Sequence, residues 1–92
     1  MAYNGVFESK YEIFRELLYR RQRFQEPFEE FAWEILRKYR SLDPNVSQAG
    51  IIRKIVSSCL PVMSAALQGF QFQDVNELVE FAKEVTMALH MY

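Results

Sequence analysis

The sequence has few of the residues that build catalytic and metal centres. Among its 92 residues it has one cysteine, Cys59, and one histidine, His90. One cysteine excludes an internal disulfide, and one cysteine with one histidine is too few for the usual zinc ligand set. The chain also has no glycine-rich phosphate loop, no HExxH motif and no calcium-loop pattern. We therefore expect no enzymatic activity, no cofactor and no metal.

Neither scarce residue occurs in a setting that favours catalysis. Cys59 lies on the apolar side of a helical pattern, which is typical of a buried thiol that behaves as a small hydrophobic side chain. His90 is three residues from the end of the sequence, where chain ends fray. We expect Cys59 to pack in the core and His90 to lie at the surface.

Glycine and proline are scarce, and the sequence has no long apolar run and no excess of one charge. Three glycines and three prolines argue against a turn-rich all-β fold. The sequence predicts no membrane span and no secretory signal, so we expect a reducing, cytoplasmic environment. Eleven Lys and Arg balance twelve Asp and Glu. This near-neutral charge excludes a strongly basic nucleic-acid binder whose affinity comes from counterion release.

Apolar residues are abundant, and their spacing predicts helices. Half of the residues are hydrophobic and 15% are aromatic, which is enough for a packed core. The apolar residues and the local sequence signals predict five helical segments, at about 8–23, 27–42, 47–59, 61–68 and from 75 onward. We predict an all-α fold, a compact five-helix bundle that forms one domain over residues 1–92. Because the sequence has no polar tail, we expect the domain to belong to a longer protein.

Local signals refine this prediction. Ser47 is a predicted N-cap, and Asp74 with Glu77 resembles a capping box. Gly69 predicts a left-handed helix end. The first segment has an apolar stripe at helical period, which consists of Phe7, Tyr11, Phe14 and Leu18. Ile13 and Leu17 widen it.

Basic residues are grouped at 20–23 and 37–40, and acidic residues are interleaved with them. This pattern favours solvated helix faces of complementary charge. An RNA-facing patch is the alternative, and salt-dependent RNA binding would test it.

Two features predict association with another chain. Trp33 lies away from the centre of the second segment's apolar face, where a tryptophan either covers the core edge or anchors a partner. The outer face of the third segment has small residues, which would allow a second helix to approach closely. The predicted dimer interface consists of Trp33, Gly50, Arg53, Lys54 and Ser57.

One string of residues resembles a known motif. Gln22-Arg-Phe-Gln-Glu26-Pro27-Phe28-Glu-Glu-Phe31 resembles the major homology region of retroviral capsid proteins, Gln-Gly-x-x-Glu-Pro-Phe-x-x-Tyr/Phe. With the preceding helix, the loop after Leu42, the short helix at Pro61 and the final helix, the chain looks like the capsid C-terminal lobe of Ty3/gypsy-type retrotransposon Gag and of domesticated Arc proteins. The likeness runs from about residue 7 to residue 92.

The match to the motif is incomplete. Pro27 fits the helix start, and Phe28 and Phe31 fit two core anchors one turn apart. In retroviral capsids the matching Gln and Glu join a hydrogen-bond network with an Arg on the following helix and with the backbone at the Gly. Here Arg23 replaces the Gly and Glu34 replaces the Arg, so that network cannot be carried over intact. We predict that Arg23 or another basic side chain supplies the missing partner.

The resemblance implies a structural assembly domain. In that family the lobe homodimerises and links capsid subunits into the shell of a virus-like particle, through contacts that are individually weak and reversible. It implies an N-terminal capsid lobe in the same protein, and RNA bound indirectly through other Gag regions. Two alternatives are open: a SCAN-like dimerisation module of a transcription factor, and a peptide-binding adaptor with an apolar groove between the first two helices.

Overall fold

Five helices account for the regular structure. The computed structural model describes the backbone of residues 2–90 and the side chains of residues 10–89, and within that range the only regular elements are helices. They are α1 (Ala2–Tyr19), α2 (Phe28–Leu42), α3 (Gln48–Ser58), α4 (Pro61–Leu67) and α5 (Val75–His90). The predicted all-α fold with five helices is confirmed. None of these helices is both long enough and apolar enough to cross a membrane.

Local capping explains where two helices begin. The Ser47 hydroxyl accepts a hydrogen bond from the Gly50 N–H at 3.1 Å, as an N-cap should. Before α5, the Asp74 carboxylate accepts from the Glu77 N–H at 2.8 Å. The Glu77 carboxylate in turn accepts from the Gln73 N–H at 3.0 Å, one residue earlier than in the usual capping box. Both predicted caps are therefore confirmed.

Two predicted helix ends are wrong. The first helix ends at Tyr19 instead of residue 23, because residues 20–27 leave the helix and form a hydrogen-bonded loop. No described residue has a positive φ, so Gly69 does not supply a left-handed stop. Instead α4 ends at Leu67, and the Phe70 N–H donates to the Leu67 carbonyl at 3.2 Å to close a tight turn.

The core lies where α2, α3 and α5 meet. Phe31 and Ile35 of α2, Ile51 of α3 and Leu78 of α5 are fully buried. Each such side chain contributes about 1.5–3 kcal/mol when it leaves water. Helix α2 is central, since it packs against α1, α3 and α5, whereas α4 closes the far side against α3 and α5.

Helix α1 leaves much of its apolar stripe exposed. Among the described residues it packs mainly against α2, and Lys54 of α3 reaches its end at the Leu18 carbonyl. Leu17 is buried, but Tyr11, Phe14 and Leu18 are 62%, 51% and 53% exposed. Phe7 lies outside the described side chains. The apolar side of α1 is wider than a single partner helix can cover. The long α1, about 27 Å at 1.5 Å per residue, suits the elongated shape of 54 × 26 × 15 Å.

Candidate functional site

The loop between α1 and α2 contains the capsid-like motif, and Gln22 ties it to the α3–α4 junction. The Gln22 backbone N–H donates to the Ser58 carbonyl at 2.9 Å, and its side-chain oxygen accepts from the Leu60 N–H at 3.0 Å. Its side-chain amide also donates to the Glu26 carbonyl at 2.8 Å, across the loop. One side chain thus closes the loop on itself and holds it against a distant part of the chain.

Arg20 is the basic partner that the motif needs. Its Nε and Nη2 donate to the two carboxylate oxygens of Glu34 at 3.0 and 3.1 Å, and its Nη2 also donates to Glu26. The Arg20 side chain is only 8% exposed, and its guanidinium lies 5.0 Å from the centre of the Phe31 ring. Arg23 contributes mainly through its backbone N–H, which donates to Glu26 at 3.0 Å.

Lys38 extends this group of charges, which we call the Arg20 network. Its ammonium donates to Glu34 at 2.9 Å and to Glu16 of α1. Hydrogen bonds from Arg20, and then from Lys38, hold the pKa of Glu34 at about 2 although burial opposes the shift. Arg20 and Lys38 are therefore internal ion partners. These two do not belong to the solvated basic face that the sequence predicts for their clusters, whereas the other four members are exposed: Arg21, Arg23, Arg37 and Arg40.

The structure brings together four of the five residues predicted for a dimer interface. We call these four, Gly50, Arg53, Lys54 and Ser57, the α3 face. Together with Tyr39 they line a depression of about 350 Å³ between α2 and α3. Their spacing of three and four residues places them on one side of the helix.

Trp33 does not line that depression. Its side chain is half-buried and packs against the core, and its indole N–H donates to Glu29 at 3.4 Å. Glu29 pairs in turn with Lys83 of α5 at 3.6 Å. Trp33 therefore covers the core edge where α2 meets α5, which is one of the two roles that the sequence allows.

A broader groove lies on the other side of the α3 face, and sequence reasoning missed it. It has a volume of about 570 Å³. Phe70 and Phe72, from the segment between α4 and α5, line one wall, and Ile52 and Val56 of α3 line the other. The signal was present in the sequence as two phenylalanines in a predicted loop.

A second apolar groove lies between α1 and α2, beside the exposed residues Tyr11, Phe14 and Leu18, which we call the α1 stripe. It has a volume of about 260 Å³, and six of its eight lining residues are apolar or aromatic. The lining residues are Phe14, Leu17, Leu18, Tyr39, Leu42, Asp43, Val46 and Lys54. The groove and the stripe form one continuous apolar surface, because Phe14 and Leu18 belong to both.

A third apolar surface surrounds the tip of the motif loop. Phe24 is 86% exposed there, opposite Val62 of α4 and Leu89 of α5, which are 63% and 49% exposed. We call these three residues the Phe24 surface. They line a depression of about 530 Å³ together with residues of the loop. This surface shares no lining residue with the α1 stripe or its groove.

Cys59 has the structural role that the sequence predicts. It is 6% exposed, its thiol donates to the Val56 carbonyl at 3.4 Å, and burial raises its pKa to about 11. His90 lies outside the described side chains, so its surface position stays a prediction. Among the described residues no group of three His, Cys, Asp or Glu is arranged to bind a metal ion.

Comparison of the chain with protein-family models, with curated proteins and with solved structures finds no match. The features that bear on function are therefore those of the chain itself. The Arg20 network is largely shielded from solvent and holds the loop in place. The α3 face, the α1 stripe and the Phe24 surface lie at the surface of the domain.

Proposed function

We propose that this chain is a non-enzymatic assembly domain, the C-terminal lobe of a Gag-like capsid protein of the Ty3/gypsy or Arc-like type. Its role is to self-associate and link subunits into a capsid shell. The observation that supports this function best is the α1 stripe, three large apolar side chains exposed on a helix that packs mainly against α2. Contiguous exposed apolar surface of this kind marks a contact site.

The size of the stripe supports a weak contact. Tyr11, Phe14 and Leu18 are each about half exposed, so together they leave on the order of 300 Å² of surface per copy. A stable interface buries about 800 Å² per partner. A stripe-to-stripe contact is therefore reversible by itself. Reversible contacts suit a shell, because many copies supply avidity while errors can still anneal.

A shell also needs more than one kind of contact. A single two-fold contact uses the same patch on both copies and closes at the dimer. The Phe24 surface is a second exposed apolar site that is separate from the α1 stripe. Two separate surfaces favour a shell protein over a SCAN-like module that only dimerises.

The motif loop contributes to the assembly contact because it holds the exposed Phe24 side chain in place. Gln22 and Glu26 close the loop on either side of it, through the Gln22 side-chain amide and through the Glu26 N–H, which donates to the Arg23 carbonyl at 3.1 Å. Arg20 binds the Glu26 carboxylate from the protein side. The network therefore holds an exposed phenylalanine at a fixed position, as an assembly contact requires.

Sedimentation velocity across micromolar to millimolar concentrations tests the proposal. We expect a monomer–dimer equilibrium, with larger species at the highest concentrations. Phe14→Ser should weaken the dimer about tenfold or more, as loss of an apolar anchor should. Tyr19→Ser is the matched control, since Tyr19 is 78% exposed on the same helix but lies outside the stripe. Phe24→Ser should preserve the dimer and abolish larger species. A monomer at every concentration would overturn self-association by this domain.

The groove between α1 and α2 is the observation that favours the second candidate function, a peptide-binding adaptor. Its apolar walls end at Asp43 and Lys54, which could orient a bound segment. The same experiment separates the two functions. A wild-type monomer that binds an amphipathic peptide in this groove, with amide shifts at Leu42 and Val46 and without self-association, would favour the adaptor.

A further inference from the structure

Three cationic side chains gather at the α3 face without an acidic partner. Arg53 and Lys54 line its depression, and Arg21 lies close enough to lower the pKa of Lys54. Among residues 10–89, no carboxylate lies within ion-pair distance of any of the three. In the Arg20 network, by contrast, the buried cations are paired. Lys38, for example, contacts two carboxylates.

We propose that the depression at the α3 face binds an oxyanion of the phosphate class, such as a phosphate monoester or pyrophosphate. The Arg53 guanidinium can donate to two phosphate oxygens at once, and Lys54 supplies a point charge beside it. Tyr39 adds a phenolic hydroxyl to the lining, and no acidic residue lines the depression. Its volume of about 350 Å³ suits a small anion.

The position of Lys54 supports this assignment. Its ammonium donates to the Leu18 carbonyl at 3.4 Å, near the end of α1, so the side chain is held in place before any ligand arrives. Burial lowers the pKa of Lys54, and Arg21 lowers it further. A bound dianion would offset both effects by placing negative charge between the cations. Lys54 also lines the adjoining groove between α1 and α2, where Asp43 is the acidic lining residue.

A small anion fits this site better than an extended nucleic acid. The chain has a net charge of −1, and two cations, Arg53 and Lys54, line the depression. Affinity for a nucleic acid would come from a longer track of phosphate contacts. A free anion and an RNA share phosphate oxygens as the recognised group, and the two arms of the experiment below distinguish them.

The anion also bears on a further contact through the α3 face, where the sequence predicts a dimer interface, and this consequence rests on the proposed function. A two-fold contact through the α3 face would bring the same cations of two copies together. Like charges at that distance repel, so a contact there needs a counter-charge. An anion in each depression would supply it.

A titration followed by ¹H–¹⁵N NMR tests the site on the full chain at a concentration where it is monomeric. We expect pyrophosphate to cause saturating shifts at the amides of Gly50 and Ser57, beyond those from sodium chloride at matched ionic strength. Arg53→Gln and Lys54→Gln should each weaken binding about tenfold, the effect of losing one charged hydrogen bond. Arg37→Gln is the matched control, because Arg37 is exposed but does not line the depression.

Three outcomes would overturn the site: no saturation beyond the chloride control, an equal loss of affinity in the Arg37 variant, or binding of a uridine oligonucleotide without binding of pyrophosphate. Thermal unfolding of each variant checks that the fold is intact. Because Arg53 is exposed, Arg53→Gln should leave the fold intact, and it is the decisive variant if Lys54→Gln unfolds. Because the readout uses monomeric protein, a failure of this proposal is distinct from a failure of self-association.

Discussion

Arg20 and Glu34 form a two-point ion pair between the end of α1 and the middle of α2, with hydrogen bonds of 3.0 and 3.1 Å. The cation comes from the segment that precedes α2, and the anion comes from α2 itself. Because Arg20 also donates to Glu26, it offsets the repulsion between the carboxylates of Glu26 and Glu34.

Removal of the Arg20 side chain should lower the free energy of unfolding substantially. Arg20→Ala leaves two carboxylates close together and partly buried, so we expect a loss of about 3 kcal/mol in the free energy of unfolding. Arg23→Ala is the matched control, because that guanidinium is 76% exposed and lies 4.0 Å from Glu26. The control should lose less than about 0.5 kcal/mol. Urea unfolding followed by circular dichroism measures both, and equal losses would contradict the central role of Arg20.

The same network predicts a loss of stability in acid. The pKa of Glu34 is about 2 in the folded chain and 4.5 ordinarily, so folding favours its charged form. Its contribution is therefore complete above pH 4.5 and is lost as the pH falls toward about 2. We expect a decrease on the order of 2 kcal/mol across this window. Glu34→Gln should flatten the curve of unfolding free energy against pH there, and an unchanged curve would contradict the assignment.

The Gln22 side chain should stabilise the fold through its hydrogen bonds. Gln22→Ala removes the acceptor for the Leu60 N–H and the donor to the Glu26 carbonyl. Leaving such partly buried groups unpaired costs about 1–3 kcal/mol. The matched control is Gln25→Ala in the same loop, where the side chain is exposed and the free energy of unfolding should change little. Hydrogen exchange at the Leu60 amide should accelerate in the Gln22 variant alone.

The Cys59 thiol should be inert in the folded chain. Its pKa of about 11 leaves little thiolate near neutral pH, and its burial blocks access. We expect reaction with a disulfide reagent at pH 8 to be slow in buffer and fast in urea, because the reaction then requires unfolding. A fast reaction in buffer would show that the α3–α4 junction opens readily.

The local parts of the fold are predictable from the sequence because they depend on neighbouring residues. Ser47 and Asp74 cap helices through hydrogen bonds that span three residues. Gly50 and Ser57 share a face for a similar reason, since helical spacing alone places them on the same side of α3. Trp33 is on another helix, and no rule of spacing relates its position to theirs.

The sequence by itself therefore determined the five helices, the N-caps at Ser47 and Asp74, and the residues that α3 groups on one side. Only the tertiary structure decided that Arg20 turns inward to Glu34, and that Tyr11, Phe14 and Leu18 stay exposed while Leu17 is buried. The physical reason is that helical periodicity specifies which residues share a face, through bonds within one turn. Which part of a wide face is covered depends on partners that are distant in the chain, and among the described residues α1 packs mainly against α2.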